Sequence, residues 1–526
     1  MSRAAEHQPA HDTAAQATAA VGPGCRAEPG ADPSDGPGDG LAADLADGLA
    51  TDLAADGPRD ECGVVGIYAP DDEVSTLAYF GLFALQHRGQ ESAGIAASDG
   101  RRIVVHKDMG LVNQVFARTG LAALEGDLAI GHCRYSTAGA SSWVNAQPQY
   151  RETAAGEGLA LGHNGNLVNT AELAGELAGD PAAPAANDSE VMASLLARGV
   201  QAEGSLEQAI VALAPRLSGA YSVVVMDRHR LYAFRDPHGV RPLQIGRLPA
   251  GGWVVASETA ALDIVGAVVV RDVDPGELVV IDHDGLASRR LAPATPRFCL
   301  FEWVYLARPD HRQAGGSVLH ARRKMGYRLA REAPVEADVV IPVPEAGRDA
   351  AAGYAAQAGL PFADGLVKNR YVGRTFIQPT QSLRQLGIRL KLSPVREVVE
   401  GRRLVVVDDS IVRGNTSRQL IEMLRAAGAA EVHLRITSPP IVNPCYYGID
   451  MASRAELIGA DLSVDEVREF IGADSLHYIS LDGLIDATPT AREQLCTACF
   501  TGEYPIPVPA EEERLAQVQF DFDGSG

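Results

Sequence analysis

The 526-residue sequence predicts an α+β domain of mostly antiparallel strands followed by an α/β domain with a mostly parallel sheet. Strand-like runs recur through the first half with few helical stretches between them, which favours an α+β fold. Beyond residue 293, short apolar runs alternate with helical stretches, which is typical of parallel strands covered by helices. We therefore expect a disordered acidic segment at 1–61, domains at 62–293 and 294–505, and a tail at 506–526.

The elements of each domain follow from local patterns. In the first domain, apolar or alternating runs predict strands at 62–69, 101–110, 127–136, 221–236, 253–259 and 276–285. Helical spacing of apolar residues predicts helices within 73–89, 188–201 and 206–217. In the second domain, we expect strands within 337–347, 360–370, 401–410 and 429–440, and helices within 352–359 and 416–429.

Composition narrows the class of protein. The formal net charge of −22 argues against binding along a nucleic-acid backbone. The sequence has no apolar run of about 18 residues, so we expect no membrane span. Seven cysteines without a secretion signal favour the cytoplasm, where cysteine clusters more often bind metals or catalyse reactions than form disulfides.

The stretch RLVVVDDSIVRGNTSRQL, from Arg403, carries a phosphate-binding pattern. A buried strand ends in two carboxylates, and a polar glycine-containing turn leads into a helix whose first N–H groups attract phosphate. Paired carboxylates can hold sugar hydroxyls and Mg²⁺. The stretch resembles the phosphoribosyltransferase signature for phosphoribosyl pyrophosphate (PRPP). The residues assigned to PRPP here are Asp408, Asp409, Ser410, Arg413, Gly414, Thr416 and Ser417, with Mg²⁺ at Asp408 and Asp409.

A cationic loop supports this interpretation. Lys368, Arg370 and Arg374 lie close together in VKNRYVGRTFIQP, within an acidic chain. Such a loop can be an ordinary solvated surface. It can also be a lid that closes over pyrophosphate and excludes water, and we assign Lys368 and Arg374 to PRPP binding on that hypothesis.

The first half carries a second set of motifs. These are ALQHRGQESAGIA from Ala84, GHCRYSTAG from Gly131, LGHNGNLVN from Leu161 and NDSEVM from Asn187. They resemble the glutamine amidotransferase domain of the N-terminal-nucleophile class, which has an αββα sandwich. With FRDPHGVRPL from Phe234 and the PRPP signature, the chain from Cys62 to about residue 505 resembles the glutamine phosphoribosylpyrophosphate amidotransferase family.

That resemblance implies a glutamine-dependent transferase at the first committed step of purine synthesis, making phosphoribosylamine from PRPP. Cys62 would be the nucleophile, forming a thioester with glutamine, and the ammonia would travel through an internal channel. In this class the nucleophile's own α-amine serves as base, so residues 1–61 would be a propeptide cut before Cys62. Arg134 and Asp188 would bind glutamine, and Asn164 and Gly165 would form the oxyanion hole. His163 would be structural and Cys133 a packing residue.

The remaining cysteines predict a metal site. CxxC alone is compatible with zinc, a redox pair or iron–sulfur. The contexts of Cys299, Cys445, Cys496 and Cys499 match the family subgroup with a [4Fe–4S] cluster, and a zinc site is the alternative. The family also implies a homotetramer inhibited by purine nucleotides.

One departure from the family pattern keeps alternatives open. After PVPE the family offers a hydroxyl residue near the metal, whereas this chain has Ala346, Gly347 and Arg348. Backbone groups or Arg348 could compensate. A PRPP-sensing regulatory paralogue with weakened catalysis is therefore a second hypothesis, although the intact Cys62 and Asp408 count against it. A glutaminase that serves a sugar-phosphate acceptor is a third, and VVVDDSIVRGNTS argues against it.

Overall fold

The computed structural model describes residues 62–116, 118–135, 142–153, 156–177, 187–369, 392–449, 451 and 453–509. The predicted disordered segment, Arg370 and Arg374 of the cationic loop, and tail residues 510–526 lie outside these ranges. Among the residues within them, no helix is long and apolar enough to cross a membrane.

Two antiparallel sheets form the first domain, as the α+β prediction requires. One sheet has seven strands, in the spatial order Val268–Asp272, Gln244–Arg247, Trp253–Ala256, Gly63–Tyr68, Leu128–Arg134, Ser92–Ser98 and Ile103–Met109. The other has six, in the order Gly285–Arg290, Glu277–Asp282, Leu231–Arg235, Gly219–Met226, Gly158–Leu167 and Gln149–Glu152. The helices are Val74–Ala84, Val112–Val115, Arg118–Leu121, Thr170–Gly175, Asp188–Glu203, Leu206–Leu213 and Thr259–Ile264, with 3-10 turns at Trp143–Asn145 and Ala214–Arg216.

The two sheets pack face to face and helices cover their outer faces. Val64 and Ile130 of the first sheet share one apolar core with Val224 of the second. On the outer face of the first sheet, Val65 packs with Leu82 of helix Val74–Ala84. The corresponding layer on the second sheet comes from helices Asp188–Glu203 and Leu206–Leu213. The first domain is thus an αββα sandwich, which confirms the predicted fold.

The second domain is built on a four-stranded parallel sheet. Its order is Val339–Pro342, Arg403–Asp408, Glu431–Ile436 and Ser475–Tyr478. Its helices are Val318–Glu332, Arg348–Ala358, Arg396–Val399, Asn415–Ala426, Ile458–Asp461, Val464–Ile471, Leu481–Ala487 and Ala498–Thr501, with a π-helix at Glu302–Leu306 and 3-10 turns at Arg454–Glu456 and Arg492–Gln494. Two-stranded pairs join Phe298–Cys299 to Leu495–Cys496, Arg312–Gln313 to Gly316–Ser317, and Leu366–Lys368 to Leu392–Pro394.

One predicted strand of this sheet is wrong and one was missed. The run at 360–370 gives only an isolated parallel bridge between Phe362 and Val340, and Leu366–Lys368 pairs antiparallel outside the main sheet. The fourth parallel strand is instead Ser475–Tyr478. Its sequence, SLHY, alternates partly buried and buried residues at the sheet edge, so it lacks the continuous apolar run that marks a central strand.

Candidate active sites

Cys62 immediately precedes the central strand Gly63–Tyr68, beside the end where Gly63 pairs with Cys133. Its side chain is buried, and its Sγ lies 3.6 Å from the carbonyl oxygen of Tyr135. Burial raises the pKa of the thiol to about 11, although the contact with Tyr135 and the charge of Arg134 act in the opposite direction. Because the thiolate is the nucleophile, this thiol needs a base to react near neutral pH.

Arg134 ends the neighbouring strand, Leu128–Arg134, and is held by an acid. Its Nη1 donates to Glu91 Oε1 at 2.6 Å, and both side chains are nearly buried. A guanidinium fixed beside Cys62 is a group that can bind a carboxylate.

Asp188 begins helix Asp188–Glu203, where the side chain of Asn187 caps the helix by accepting from Glu190 N. Its carboxylate accepts from Leu167 N at 3.2 Å and from Ser189 N at 2.7 Å. Burial raises its pKa, but His163 and these hydrogen bonds outweigh burial, so the net effect is a lowered pKa. The carboxylate therefore stays charged and suits an ammonium ligand.

Asn164 and Gly165 lie on strand Gly158–Leu167 of the second sheet. The Asn164 side chain is buried, and its Nδ2 has no hydrogen-bond partner among the residues described. Gly165 has a φ of 142°, and a Cβ there would lie 2.0 Å from the carbonyl oxygen of Ala220. An unpartnered buried amide costs free energy unless a ligand completes it, which fits the predicted oxyanion hole.

His163 and Cys133 have surroundings that match their predicted structural roles. His163 Nδ1 lies 3.3 Å from Ser189 Oγ and 3.5 Å from Asp188 Oδ2, so the ring braces the start of the helix. Cys133 is fully buried, with its Sγ 3.3 Å from Leu85 O.

In the second domain, strand Arg403–Asp408 ends at the predicted acid pair. Asp409 N donates to Asp408 Oδ1 at 2.9 Å, and Ser410 Oγ donates to Asp409 Oδ1 at 2.6 Å. Burial raises the pKa of Asp408 well above its usual range, and the neighbouring Asp409 raises it further. Asp409 is buried and Asp408 partly buried, and two adjacent carboxylates are a donor set that a divalent cation would neutralise.

The loop after the acid pair leads into helix Asn415–Ala426, as predicted. Gly414 caps the helix with a φ of 84°, which places the turn in the left-handed region that favours glycine. Ser417 is buried and Thr416 exposed, while Arg413 Nη2 donates to Glu456 Oε2 at 3.3 Å. Lys368 is exposed at the end of strand Leu366–Lys368, and Arg374 lies outside the described residues.

The departure from the family pattern after PVPE has a steric explanation at Gly347. A Cβ at this position would lie 2.3 Å from the carbonyl oxygen of Val407, one residue before Asp408. The turn thus approaches the acid pair closely only because residue 347 lacks a side chain. Arg348 instead forms an exposed ion pair with Asp364.

The four candidate metal-binding cysteines come from three segments that meet at the domain junction. Cys299 pairs with Cys496 in a short parallel ladder, and Asn443 N donates to Cys499 O at 3.1 Å, which joins the CxxC segment to that of Cys445. All four are free thiols. Over the described part of the chain, no three of their sulfurs lie within 4.8 Å of one another.

Sequence reasoning missed a buried ionic network beside Cys62. Arg88 donates to Glu258 at 2.6 Å, to Glu302 at 2.7 Å and, through Nε, to the carbonyl oxygen of Cys62 at 3.2 Å. Glu302 also lies 3.5 Å from Arg241. Arg88 stands within the quoted motif ALQHRGQESAGIA, but a motif alone does not show which distant acids its side chain meets.

Comparisons with known proteins agree with this architecture. Residues 132–263 match a family model described as a glutamine amidotransferase domain, and residues 314–437 match one described as a phosphoribosyl transferase domain. The amidophosphoribosyltransferase of Mycobacterium tuberculosis is 59% identical over 86% of this chain and 88% of that relative. That of Synechococcus elongatus is 51% identical over 87% and 94%.

Two solved structures are also similar over most of the chain. A structure described as the allosteric regulatory enzyme of purine biosynthesis has 46% identity and a TM-score of 0.81, covering 86% of this chain and 97% of that one. The glutamine PRPP amidotransferase from B. subtilis, complexed with ADP and GMP, has 45% identity and a TM-score of 0.80, covering 86% and 98%.

Proposed function

The chain belongs to the amidophosphoribosyltransferase family, and on that premise we propose which of its residues carry the two half-reactions. It is a transferase of purine biosynthesis with a glutamine amidotransferase domain and a phosphoribosyltransferase domain. The comparisons give no support to a regulatory paralogue. The observation that carries the residue assignment is that the charged groups of Arg134 and Asp188 both lie close enough to Cys62 to act on its thiol.

The first half-reaction is glutamine hydrolysis at Cys62. The free α-amine of a mature Cys62 takes the thiol proton, and the sulfur attacks the side-chain carbonyl carbon of glutamine. Asn164 Nδ2 and Gly165 N–H stabilise the negative oxygen of the tetrahedral intermediate. The intermediate collapses to a thioester as the protonated nitrogen leaves as ammonia, and water then releases glutamate and restores the thiol.

Substrate orientation comes from the two charged groups flanking the nucleophile. Arg134, fixed by Glu91, binds the glutamine α-carboxylate, and Asp188, kept ionised by its hydrogen bonds, binds the α-ammonium. Both groups are held before substrate arrives, so little side-chain freedom is lost on binding.

The second half-reaction displaces pyrophosphate from C1 of PRPP by ammonia that arrives through an internal channel. Asp408 and Asp409 would hold the ribose hydroxyls and Mg²⁺, and the bound metal would supply positive charge at the pyrophosphate. The loop from Ser410 to Ser417 cradles the phosphate with its N–H groups. Lys368 and Arg374 assist at the pyrophosphate as part of the lid.

Cys299, Cys445, Cys496 and Cys499 supply the four thiol ligands that a [4Fe–4S] cluster requires, and their sequence contexts match the cluster-bearing subgroup of the family. A zinc site with the same four ligands is the alternative. Either metal group would join three distant segments of the chain, so metal binding would contribute to folding.

The remaining assignments complete the proposal. Residues 1–61 are a propeptide, 62–293 the glutaminase domain, 294–505 the phosphoribosyltransferase domain and 506–526 a tail. The enzyme works in the cytoplasm as a homotetramer. Since the B. subtilis relative was solved with ADP and GMP, purine nucleotides are the expected inhibitors here.

Intact-mass and metal analysis of active protein tests the processing and the metal together. We expect a chain that begins at Cys62 and about four irons per chain, the number a [4Fe–4S] cluster requires. Full glutamine-dependent activity from a chain that still begins at Met1 would contradict the propeptide. Zinc without iron in active protein would contradict the cluster.

A further inference from the structure

The segment Cys445–Gly448, here called the Cys445 segment, lies against the oxyanion strand of the glutaminase site. Asn166 Nδ2 donates to Tyr446 O at 3.1 Å. Gly448 has a φ of 110°, and a Cβ built on it would lie 3.0 Å from Gly165 Cα. The segment therefore supports the backbone of Gly165 by direct contact.

The Cys445 segment is also connected to Cys62 by a series of contacts between buried charged side chains. Arg241 Nε donates to Tyr447 O at 2.8 Å, and its Nη2 lies 3.9 Å from Cys445 Sγ. Its Nη1 lies 3.5 Å from Glu302, which binds Arg88 at 2.7 Å. Arg88 in turn binds the carbonyl oxygen of Cys62, so an unbroken series of contacts joins Cys445 to the nucleophile.

These charges depend on one another because they are buried. The side chains of Arg88, Arg241, Glu258 and Glu302 are each at most 1% exposed. Removing one partner of a buried ion pair is strongly destabilising, since the other charge is left uncompensated. Arg241 contacts both Cys445 and Glu302, so a shift of the Cys445 segment would be passed to Glu302 and from there to Arg88.

We propose that the Cys445 segment positions both the nucleophile and the oxyanion strand, so that occupancy of the cysteine site sets the rate of glutamine hydrolysis. This rests on the proposed roles of Cys62, Gly165 and the cysteine site. Arg88, Arg241 and Gly448 are positioning residues, because none of them is placed against the reacting atoms. If the segment only stabilised the fold, its variants would lower the free energy of unfolding. The molecules that remain folded would then keep normal glutaminase activity.

Gly448→Ala tests the oxyanion contact, because its methyl group must displace Gly165. Since the contact of 3.0 Å requires Gly165 to move by only a few tenths of an ångström, we expect kcat with glutamine to fall by about threefold to tenfold. The KM for glutamine, the iron content and the ammonia-dependent rate should each stay within about twofold. Gly472→Ala is the matched control, since Gly472 also has a positive φ, of 77°, and no atom lies within 4 Å of its Cβ.

Arg241→Gln and Arg241→Lys test the ionic route. The rate at which iodoacetamide alkylates Cys62, located by peptide mass, should fall in the Gln variant and recover partly in the Lys variant. Native enzyme stripped of metal by a chelator should show the same fall. A normal kcat with glutamine in Gly448→Ala, or an unchanged alkylation rate in folded Arg241→Gln, overturns the proposal.

A different experimental result would contradict the proposed function itself. If Cys62→Ala keeps glutamine-dependent activity, the nucleophile is misassigned. If Cys62→Ala loses that activity while Gly448→Ala keeps it, only the positioning proposal is wrong.

Discussion

Cys62 and Asp408 each lie at a strand end, Cys62 buried and Asp408 partly buried, but the groups around them differ. Around Cys62 the charged partners are already in place, with Arg134 held by Glu91 and Asp188 held by backbone N–H groups. Beside Asp408 lies a second acid, Asp409, which disfavours ionisation of the first. The glutaminase site is thus organised by the protein, whereas the phosphoribosyl site needs a cationic ligand to be complete.

Removal of the nucleophile should have the largest effect, and it should affect only one of the two sites. Cys62→Ala should lower glutamine-dependent synthesis by at least about a thousandfold, as loss of a catalytic nucleophile does. Synthesis from added ammonia should stay within about twofold, because the phosphoribosyl site does not use the thiol. Steady-state rates with each nitrogen source measure both, and Cys133→Ser serves as a control for loss of a buried thiol. A parallel loss of the ammonia route would show that the sites are not separable.

Asp408→Asn should affect both nitrogen sources, in contrast to Cys62→Ala. Loss of one carboxylate weakens the positioning of PRPP and Mg²⁺, and we expect both rates to fall by about a hundredfold. Raising the Mg²⁺ concentration should recover part of the loss. Asp338→Asn is the control, since Asp338 pairs with Arg403 at the other end of the same strand. If the variant lost only glutamine-dependent activity, the assignment of Asp408 to the second half-reaction would be wrong.

The pH dependence of Cys62 alkylation tests whether the free α-amine acts as the base. Since burial raises the thiol pKa to about 11, the thiolate fraction of uncleaved chain should rise about tenfold per pH unit below that value. Alkylation of Cys62 in uncleaved protein should follow that slope from pH 7 to 9.5. Processed protein should react faster at pH 7 and show a shallower slope, because its α-amine accepts the proton. Identical profiles for the two forms would argue against the α-amine as base.

Arg348→Ala is expected to have the smallest effect. Its exposed ion pair with Asp364 contributes about 0–1 kcal/mol to stability, as surface pairs do. Both synthesis rates should stay within about twofold, and thermal unfolding should shift little. A large loss of PRPP-dependent activity would show that Arg348 replaces the hydroxyl that this chain lacks after PVPE.

The sequence predicted the fold where apolar patterns were long. The central strands of both domains and the helix after Gly414 lie where expected, because a buried strand must be apolar and a tight turn favours glycine. The edge strand Ser475–Tyr478 escaped prediction because half of it faces partly exposed surroundings. Two interior strands, Ser92–Ser98 and Gly158–Leu167, were missed as well, because they are rich in Ala and Gly and lack a run of bulky apolar residues.

Site residues were predictable where they form local motifs. The acid pair at Asp408 and the Asn164–Gly165 dipeptide could be found from the residues next to them in the sequence. Arg241 stands within the motif FRDPHGVRPL, but its contacts with Tyr447 and Glu302 could not be predicted, since these partners lie far away in the chain. Their function depends on burial and pairing, which become visible only when the two domains are seen in contact.

The contact between Asn166 and Tyr446 joins residues 280 positions apart, which has a consequence for synthesis on the ribosome. The N-terminal half emerges first, so both glutaminase sheets can form long before the segment that supports their active site exists. A partial chain that hydrolysed glutamine would release ammonia with no phosphoribosyl acceptor to receive it. If Gly165 and Cys62 need the proposed support from the Cys445 segment, glutamine hydrolysis would begin only after translation has supplied the acceptor domain.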